Sequence, residues 1–160
     1  MTITIALDAE TINSLDLSAV KEKISNLPTD KAVTNYEQQL KFVINYKQEA
    51  EDPRELSEIA EIRLWFVCLD ANYPWLPFLL DWRSGELARY TAMLVPHQFS
   101  RSEGIIYNPE ALEIYVMHKI FVLSIWCQQR GISSTSRLKS FAKLFGYDID
   151  DSFFESIKAV

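Results

Sequence analysis

Histidine and cysteine are the side chains that most often bind metals or act as nucleophiles and bases, and this chain has two of each. A structural metal site needs three or four His, Cys, Asp or Glu ligands at fixed spacing. His97 and His118 stand in no HxH, HxxxH or ExxH arrangement. Cys68 and Cys127 lie in apolar runs without CxxC spacing, which predicts two buried, reduced thiols. The sequence therefore predicts no bound metal and no redox pair.

Other catalytic and ligand-binding motifs are equally scarce. There is no GxSxG nucleophile elbow, and four scattered glycines do not make the Gly-rich loop that cradles phosphates. The acidic cluster in residues 148–151 lacks the glycine and terminal glutamate of a calcium loop, so helix capping explains it. One catalytic hypothesis stays open, an acid–base enzyme that uses His97 with Glu86 or Glu103 in a pocket.

The middle of the chain, residues 61–107, combines tryptophan with arginine. It holds three of the four tryptophans, and all its basic residues are arginine. These types dominate protein–protein interfaces, because indole offers a large apolar surface and guanidinium a planar fork of donors. The segment therefore predicts a partner-binding surface without a catalytic group. The candidate residues are Trp82, Arg83, Glu86, Arg89, His97, Gln98 and Arg101.

A second interpretation gives the same segment a purely structural role. The tryptophans would then fill the core, and the arginines would form ordinary surface pairs with Glu86 or Asp81. Residue types alone do not separate these two interpretations.

The elements that must position these residues begin with two strands and two helices. Alternating apolar residues predict strands over residues 2–7 and 38–47. Apolar spacing of three and four predicts a helix over residues 17–27 that Pro28 ends. The sequence DPRE begins a second helix over residues 52–73, with an aspartate cap and proline at the first position.

The candidate binding segment itself is predicted to be a β-hairpin followed by a loop. Two apolar runs, residues 77–82 and 86–94, flank the dipeptide Ser84-Gly85, which suits a short turn. A loop is expected from Pro96 up to the next helix start at Asn108.

The C-terminal third is predicted to be helical. A long apolar helix over residues 108–130 suits a buried position, with His118 as a hydrogen-bonded core residue. A short helix ends near Phe145, and a last one begins at Asp150. Together these elements predict an α+β fold in one domain, residues 1–160. Its small mixed four-stranded sheet contains the hairpin and is covered by helices.

Charge and hydropathy limit the location and partners of the chain. A net charge of −6 over 160 residues argues against nucleic acid and against an anionic membrane surface. The N-terminus has neither a basic region nor a long apolar run, so no signal peptide is predicted. The longest apolar stretch, residues 114–127, is too short and too polar to span a bilayer. We expect a soluble protein of the cytoplasm.

Three long segments resemble the chlororespiratory reduction 6 family. They are DPRELSEIAEIRLWF, LDANYPWLPFLLDWRSGELARYTAMLVPHQF and EGIIYNPEALEIYVMHKIFVLSIW. The resemblance extends over roughly residues 1–154.

The resemblance implies an assembly factor for the photosynthetic NAD(P)H dehydrogenase-like complex. Its expected partner is the ferredoxin-like iron–sulfur subunit of the hydrophilic arm. Because the N-terminus does not look like an organelle transit peptide, a cyanobacterial-type member in the cytoplasm is expected. No catalytic residue is carried over from the family, and no cofactor is expected. No cysteine pattern suits an iron–sulfur cluster in this chain. A structural subunit that stays in the finished complex is the remaining alternative.

Overall fold

The computed structural model describes residues 2–27 and 36–158, which form a mixed α+β fold. The chain divides into two units, residues 1–107 and 108–160. The interpretation as a single domain stays a prediction. The predicted stop of the first helix at Pro28 lies outside the described residues.

Four strands and seven α-helices make up the described part. The strands are β1 (Ile3–Asp8), β2 (Leu40–Asn45), β3 (His97–Ser100) and β4 (Gly104–Tyr107). The helices are α1 (Ala9–Asn13), α2 (Ser18–Ser25), α3 (Ala60–Asn72), α4 (Glu86–Leu94), α5 (Pro109–Gln129), α6 (Thr135–Leu144) and α7 (Asp151–Lys158).

The first two predicted strands are confirmed and pair with each other in parallel. The register runs from Ile3 opposite Leu40 to Asp8 opposite Asn45. Alternate apolar side chains of both strands are buried, as expected when one face of a sheet meets the core. Helix α1, which the sequence did not predict, follows β1 directly because the Asp8 carboxylate accepts from the Thr11 amide at 2.8 Å.

The sheet prediction was wrong in its connectivity. The strands form two separate two-stranded sheets, β1 with β2 and β3 with β4, in the described part of the chain. The outer edge of β2 is covered by irregular chain: the Leu40 amide donates to the Leu79 carbonyl, and the Asp81 amide donates to the Leu40 carbonyl at 2.8 Å. A neighbouring loop thus satisfies backbone groups that a third strand would otherwise have to satisfy.

The core of the N-terminal unit is an aromatic cluster around α3. Trp65 and Phe66 are fully buried and contact Phe42 of β2 edge to face, with ring centroids 6.2 and 5.3 Å from it. Tyr90 of α4 contacts Phe66 from the other helix, 6.0 Å between centroids. Edge-to-face pairs of this kind add about 0.5–1.5 kcal/mol each beyond the burial of their area. They fix α3 and α4 against β2.

The predicted helix over residues 52–73 begins later than its capping sequence suggested. Asp52 accepts from the Arg54 backbone and side chain instead of capping a helix. A 3-10 helix, Leu56–Glu58, comes first. In its capping box the Glu55 carboxylate accepts from the Ser57 amide, and the Glu58 carboxylate accepts from the Glu55 amide. The α-helix starts only at Ala60.

The predicted hairpin over residues 77–94 was wrong, since this segment is helical. A 3-10 helix, Leu76–Phe78, leads through a turn to α4. Buried Leu87, Tyr90 and Met93 recur every three residues along α4, which is a helical spacing. Gly85, at a φ of +82°, starts the helix instead of turning a hairpin. The hairpin lies further on, in the segment predicted to be a loop, as β3 and β4.

The C-terminal unit is helical, as predicted. Asn108 caps α5 by accepting from the Ala111 amide at 3.0 Å. The prediction of His118 as a core residue was wrong, because it is exposed while its neighbour Lys119 is buried. The inward face of α5 follows the helical repeat through Val116, Lys119 and Leu123, and His118 lies off that face.

Both cysteines are free thiols, as predicted. Cys127 is buried in α5, whereas Cys68 is only half-buried on α3. The prediction that both would be buried was therefore wrong for Cys68, because an apolar neighbourhood in sequence does not fix which side of a helix a residue occupies.

Candidate functional site

At its base, the hairpin formed by β3 and β4 is hydrogen-bonded to the rest of the N-terminal unit. His97 and Tyr107 are the last cross-strand pair, with ring centroids 6.3 Å apart. The His97 ring bonds the Ser57 hydroxyl at 2.9 Å and the Val95 carbonyl at 3.0 Å. The Tyr107 hydroxyl donates to the Ala88 carbonyl of α4 at 2.9 Å. Burial raises the pKa of Tyr107 to about 12.

The Val95 carbonyl selects the tautomer of a neutral His97 ring. A carbonyl only accepts, so Nδ1 of His97 carries the proton that is donated to Val95. In the neutral ring Nε2 is then the acceptor for the Ser57 hydroxyl. This is the relation between nucleophile and base in a hydrolase. Ser57 is only 1% exposed, however, so its hydroxyl is closed to a substrate and the pair acts as a clamp.

Beyond its base the hairpin is exposed on both faces. Gln98 lies opposite Ile106 and Phe99 opposite Ile105, so Phe99 and Ile106 project from opposite faces of the ribbon. Phe99 is 47% exposed and Ile106 43%. Arg101 is exposed in the turn between the strands. We call the exposed side chains of Gln98, Phe99, Arg101 and Ile106 the hairpin face.

The turn of the hairpin is ordered by local chemistry. Gly104 adopts a φ of +76°, which side-chain-bearing residues rarely adopt. The Ser100 hydroxyl accepts from the Glu103 amide at 3.3 Å and contacts the Ser102 hydroxyl at 3.1 Å. Within the described chain β3 and β4 pair only with each other, which leaves their outer edges open to a further strand.

Two of the candidate binding residues, Glu86 and Arg89, serve the edge of β2. The buried carboxylate of Glu86 accepts from the Phe42 amide at 3.2 Å, and Nη1 of Arg89 donates to the Phe42 carbonyl at 3.1 Å. The two side chains also pair with each other at 3.5 Å. The neighbouring loop bonds the backbone of Leu40, and these two side chains bond the backbone of Phe42 on the same edge of β2. Their polar groups thus replace the hydrogen bonds that a third strand would make.

The turn before α4 carries the other two candidates from this segment. The Asp81 carboxylate accepts from the Arg83 amide at 3.1 Å, which orders the turn. Trp82 is half-buried, and its indole donates to the Pro77 carbonyl at 2.8 Å. The Arg83 side chain is exposed. The structure thus leaves Arg83, Gln98 and Arg101 open to solvent and places Glu86 inside.

The groups that the acid–base hypothesis requires do not converge. Glu86 is committed to the Phe42 amide. Glu103 lies in the hairpin turn, about 10 Å further along the ribbon than His97 at about 3.4 Å per residue. Both ring nitrogens of His97 are already bonded within the protein. Among the residues that the structure describes, His97 thus has no carboxylate partner of the kind the hypothesis needs.

Two residues that matter for this site, Ser57 and Ile106, were missed from the sequence. Ser57 has no local signal, because its partner His97 lies forty positions away. Ile106 did have one: HQFS and GIIY are short β-prone runs separated by residues 101–103, with glycine at the turn. This segment was predicted to be a loop instead.

Metal and membrane signatures are lacking in the part of the chain that the structure describes. Over residues 2–27 and 36–158, no group of three or more His, Cys, Asp or Glu could hold a metal ion. Within the same ranges, no helix is both long enough and apolar enough to cross a bilayer.

The fold and site define a small mixed α+β protein whose most distinctive feature is an anchored, projecting hairpin. The family model for chlororespiratory reduction 6 matches residues 7–156, and the chain therefore belongs to that family. This membership is consistent with a role in assembling the photosynthetic NAD(P)H dehydrogenase-like complex. No solved structure matches the chain.

Proposed function

We propose that this protein is a non-catalytic assembly factor that binds the ferredoxin-like iron–sulfur subunit of the photosynthetic NAD(P)H dehydrogenase-like complex. It acts in the cytoplasm of a cyanobacterial-type cell, before that subunit joins the hydrophilic arm, and it carries no cofactor of its own. Family membership supports the assembly role. The hairpin face is the surface we assign to the partner.

The exposure of the hairpin on both faces is the observation that carries this proposal. Two large apolar side chains, Phe99 and Ile106, are partly exposed to solvent on opposite faces of the hairpin. A two-stranded ribbon is marginally stable in water and gains from being covered. Its open strand edges also suit the addition of a strand from a partner. Exposed apolar groups rimmed by polar ones are typical of interaction sites.

Two exposed arginines add positive charge, Arg101 in the hairpin turn and Arg83 in the turn before α4. Neither Arg83 nor Arg101 makes an ion pair within the described residues, and both are exposed. On a chain of net charge −6 they stand out as positive groups available to carboxylates of a partner. Arginine at such a position binds carboxylates through two parallel hydrogen bonds.

A pull-down with matched charge reversals tests the proposal. The double variant Arg83→Glu and Arg101→Glu should capture much less of the iron–sulfur subunit, quantified by mass spectrometry, with an unchanged thermal midpoint. The double variant Lys21→Glu and Lys23→Glu, on two exposed residues of α2, reverses the same number of charges; it is the control and should capture the wild-type amount. Undiminished capture by the double variant rejects the hairpin as the binding surface.

Fractionation separates an assembly factor from a structural subunit. The tagged protein should accompany assembly intermediates and be absent from the finished complex. Stoichiometric recovery with the finished complex would contradict the assembly role while leaving the binding surface to be judged by the charge reversals.

A further inference from the structure

The C-terminal unit contains a cavity of about 210 Å³ lined by residues of α5, α6, α7 and the segment between α5 and α6. Its lining combines the hydroxyl-bearing residues Ser124 and 133–135 with the apolar side chains of Phe154 and Ile157. Lys158 adds a positive charge, and every lining residue is neutral or basic. At about 30 Å³ per water molecule, the cavity has room for about seven non-hydrogen atoms, each taken as the size of a water molecule.

Ser124 is the residue in this lining that most needs a partner. It is 8% exposed, and its hydroxyl has no hydrogen-bond partner in the described structure. A helical serine ordinarily bonds back to the carbonyl one turn earlier. A buried hydroxyl left without a partner costs about 1–3 kcal/mol. An acceptor atom on a ligand in the cavity would relieve that cost.

The start of α6 adds a second set of donors to the same cavity. Ser134, the residue before the helix, makes no side-chain capping bond, so it leaves the first backbone N–H groups of this ten-residue helix without a hydroxyl cap. Thr135, the first residue of α6, lines the cavity. The N-terminus of a helix carries partial positive charge and favours an anion.

We propose that this cavity binds a carboxylate carried on a short apolar body. The carboxylate accepts from the Ser124 hydroxyl and from the start of α6, near the charge of Lys158. The apolar body packs on Phe154 and Ile157. Lys158 is available because its present pair with Glu155, at 3.0 Å, is between two exposed side chains and contributes little.

Two sources offer this chemistry, a small free carboxylic acid and the C-terminal residue of a polypeptide. The cavity belongs to the C-terminal unit and does not share residues with the hairpin face. The proposal therefore stands or falls independently of the proposed function.

Titration of the full chain, followed by amide NMR shifts and calorimetry, tests the site. The probes are 3-methylbutanoate and its neutral amide, and acetyl-Ala-Ala-Val with a free or an amidated C-terminus. Both acids should shift signals of residues that line the cavity, and both amides should bind much more weakly. Peptide affinity about tenfold above that of 3-methylbutanoate assigns the site to chain ends, and equal affinity assigns it to small acids, each in support of carboxylate binding.

Ser124→Ala makes the test specific to the unpartnered hydroxyl. Loss of a hydrogen bond to a charged acceptor should weaken binding about tenfold. The unliganded variant should be as stable as the wild type or more so, since it buries no unpartnered hydroxyl. Ser156→Ala, on an exposed serine of α7 outside the lining, is the control. Equal binding of acids and amides, no binding of either acid, or full affinity in Ser124→Ala overturns the proposal.

Discussion

Two neighbouring regions, α4 with its preceding turn and the hairpin that follows, are built from similar residue types and use them in opposite ways. In α4 the carboxylate of Glu86 is buried and Arg89 reaches the same strand, so both charges serve the backbone of Phe42. In the hairpin Arg101 is exposed in the turn, and Phe99 stands half in water.

The difference shows that a charged side chain takes a structural role where a nearby backbone amide or carbonyl lacks a hydrogen-bond partner. Strand β2 pairs with β1 along one edge and with loop residues at Leu40 along the other, so the amide and carbonyl of Phe42 need partners at that second edge. Side chains of α4 lie within reach and provide them. The two strands of the hairpin pair with each other, and beyond its base the side chains of the hairpin face stay exposed.

The largest effect on stability is expected from breaking the contact between α4 and β2. Glu86→Ala leaves the buried Phe42 amide without an acceptor, which should lower the free energy of unfolding by about 2 kcal/mol. Urea unfolding followed by circular dichroism measures it. Glu103→Ala, in the hairpin turn, is the matched control and should change stability by less than about 0.5 kcal/mol. Equal losses in the two variants would erase the distinction between the regions.

A smaller loss is expected at the clamp between the hairpin base and the 3-10 helix. Ser57→Ala removes the hydroxyl that donates to His97 and should cost about 1 kcal/mol. The hairpin amides should then exchange faster in hydrogen-exchange measurements than in the wild type. Ser136→Ala, on an exposed residue of α6, should leave both quantities unchanged. Unaltered exchange in Ser57→Ala would mean that this bond does not hold the hairpin.

The pH dependence of the free energy of unfolding tests whether Tyr107 is buried at the base of the hairpin. Its pKa of about 12 lies above the ordinary value of 10 because of burial. Above pH 10 the unfolded chain therefore loses this proton first, and the free energy of unfolding falls as pH rises from 10 to 12. In the Tyr107→Phe variant, the free energy of unfolding should fall less steeply between pH 10 and pH 12. Identical slopes in urea titrations at pH 9, 10, 11 and 12 would contradict an anchored base.

The smallest effect on stability is expected on the hairpin face itself. Phe99→Ser replaces a half-exposed ring that the fold does not bury, so the thermal midpoint should stay within about 2 °C of the wild type. Partner binding should nevertheless weaken strongly, because an apolar contact is lost. A large drop in the midpoint would show that Phe99 is a packing residue.

Patterns that depend on local chemistry predicted much of the fold. Alternation predicted β1 and β2, and the sequence NPE at residues 108–110 predicted the start of α5. The hairpin was predicted one segment too early, because Ser84-Gly85 suits both a turn and the start of a helix. The spacing of Leu87, Tyr90 and Met93 was the signal that should have decided for a helix.

The candidate site was predictable only in part, because three of its features depend on distant partners. Glu86 and Arg89 have the composition of interface residues, and only the position of Phe42 turns them inward. His97 is tied to Ser57 by a contact that no sequence spacing encodes. Arg83, Gln98 and Arg101 are exposed, so their assignment to a partner stays a prediction that binding must test.

Hydrogen exchange of the protein with and without the purified iron–sulfur subunit shows directly which surface the partner covers. Binding should slow exchange in peptides covering residues 97–107 and the turn at residues 81–85. Exchange over α6 and α7 should be unaffected. Protection confined to the C-terminal unit, with the hairpin exchanging as fast as in the free protein, would contradict binding at the hairpin face.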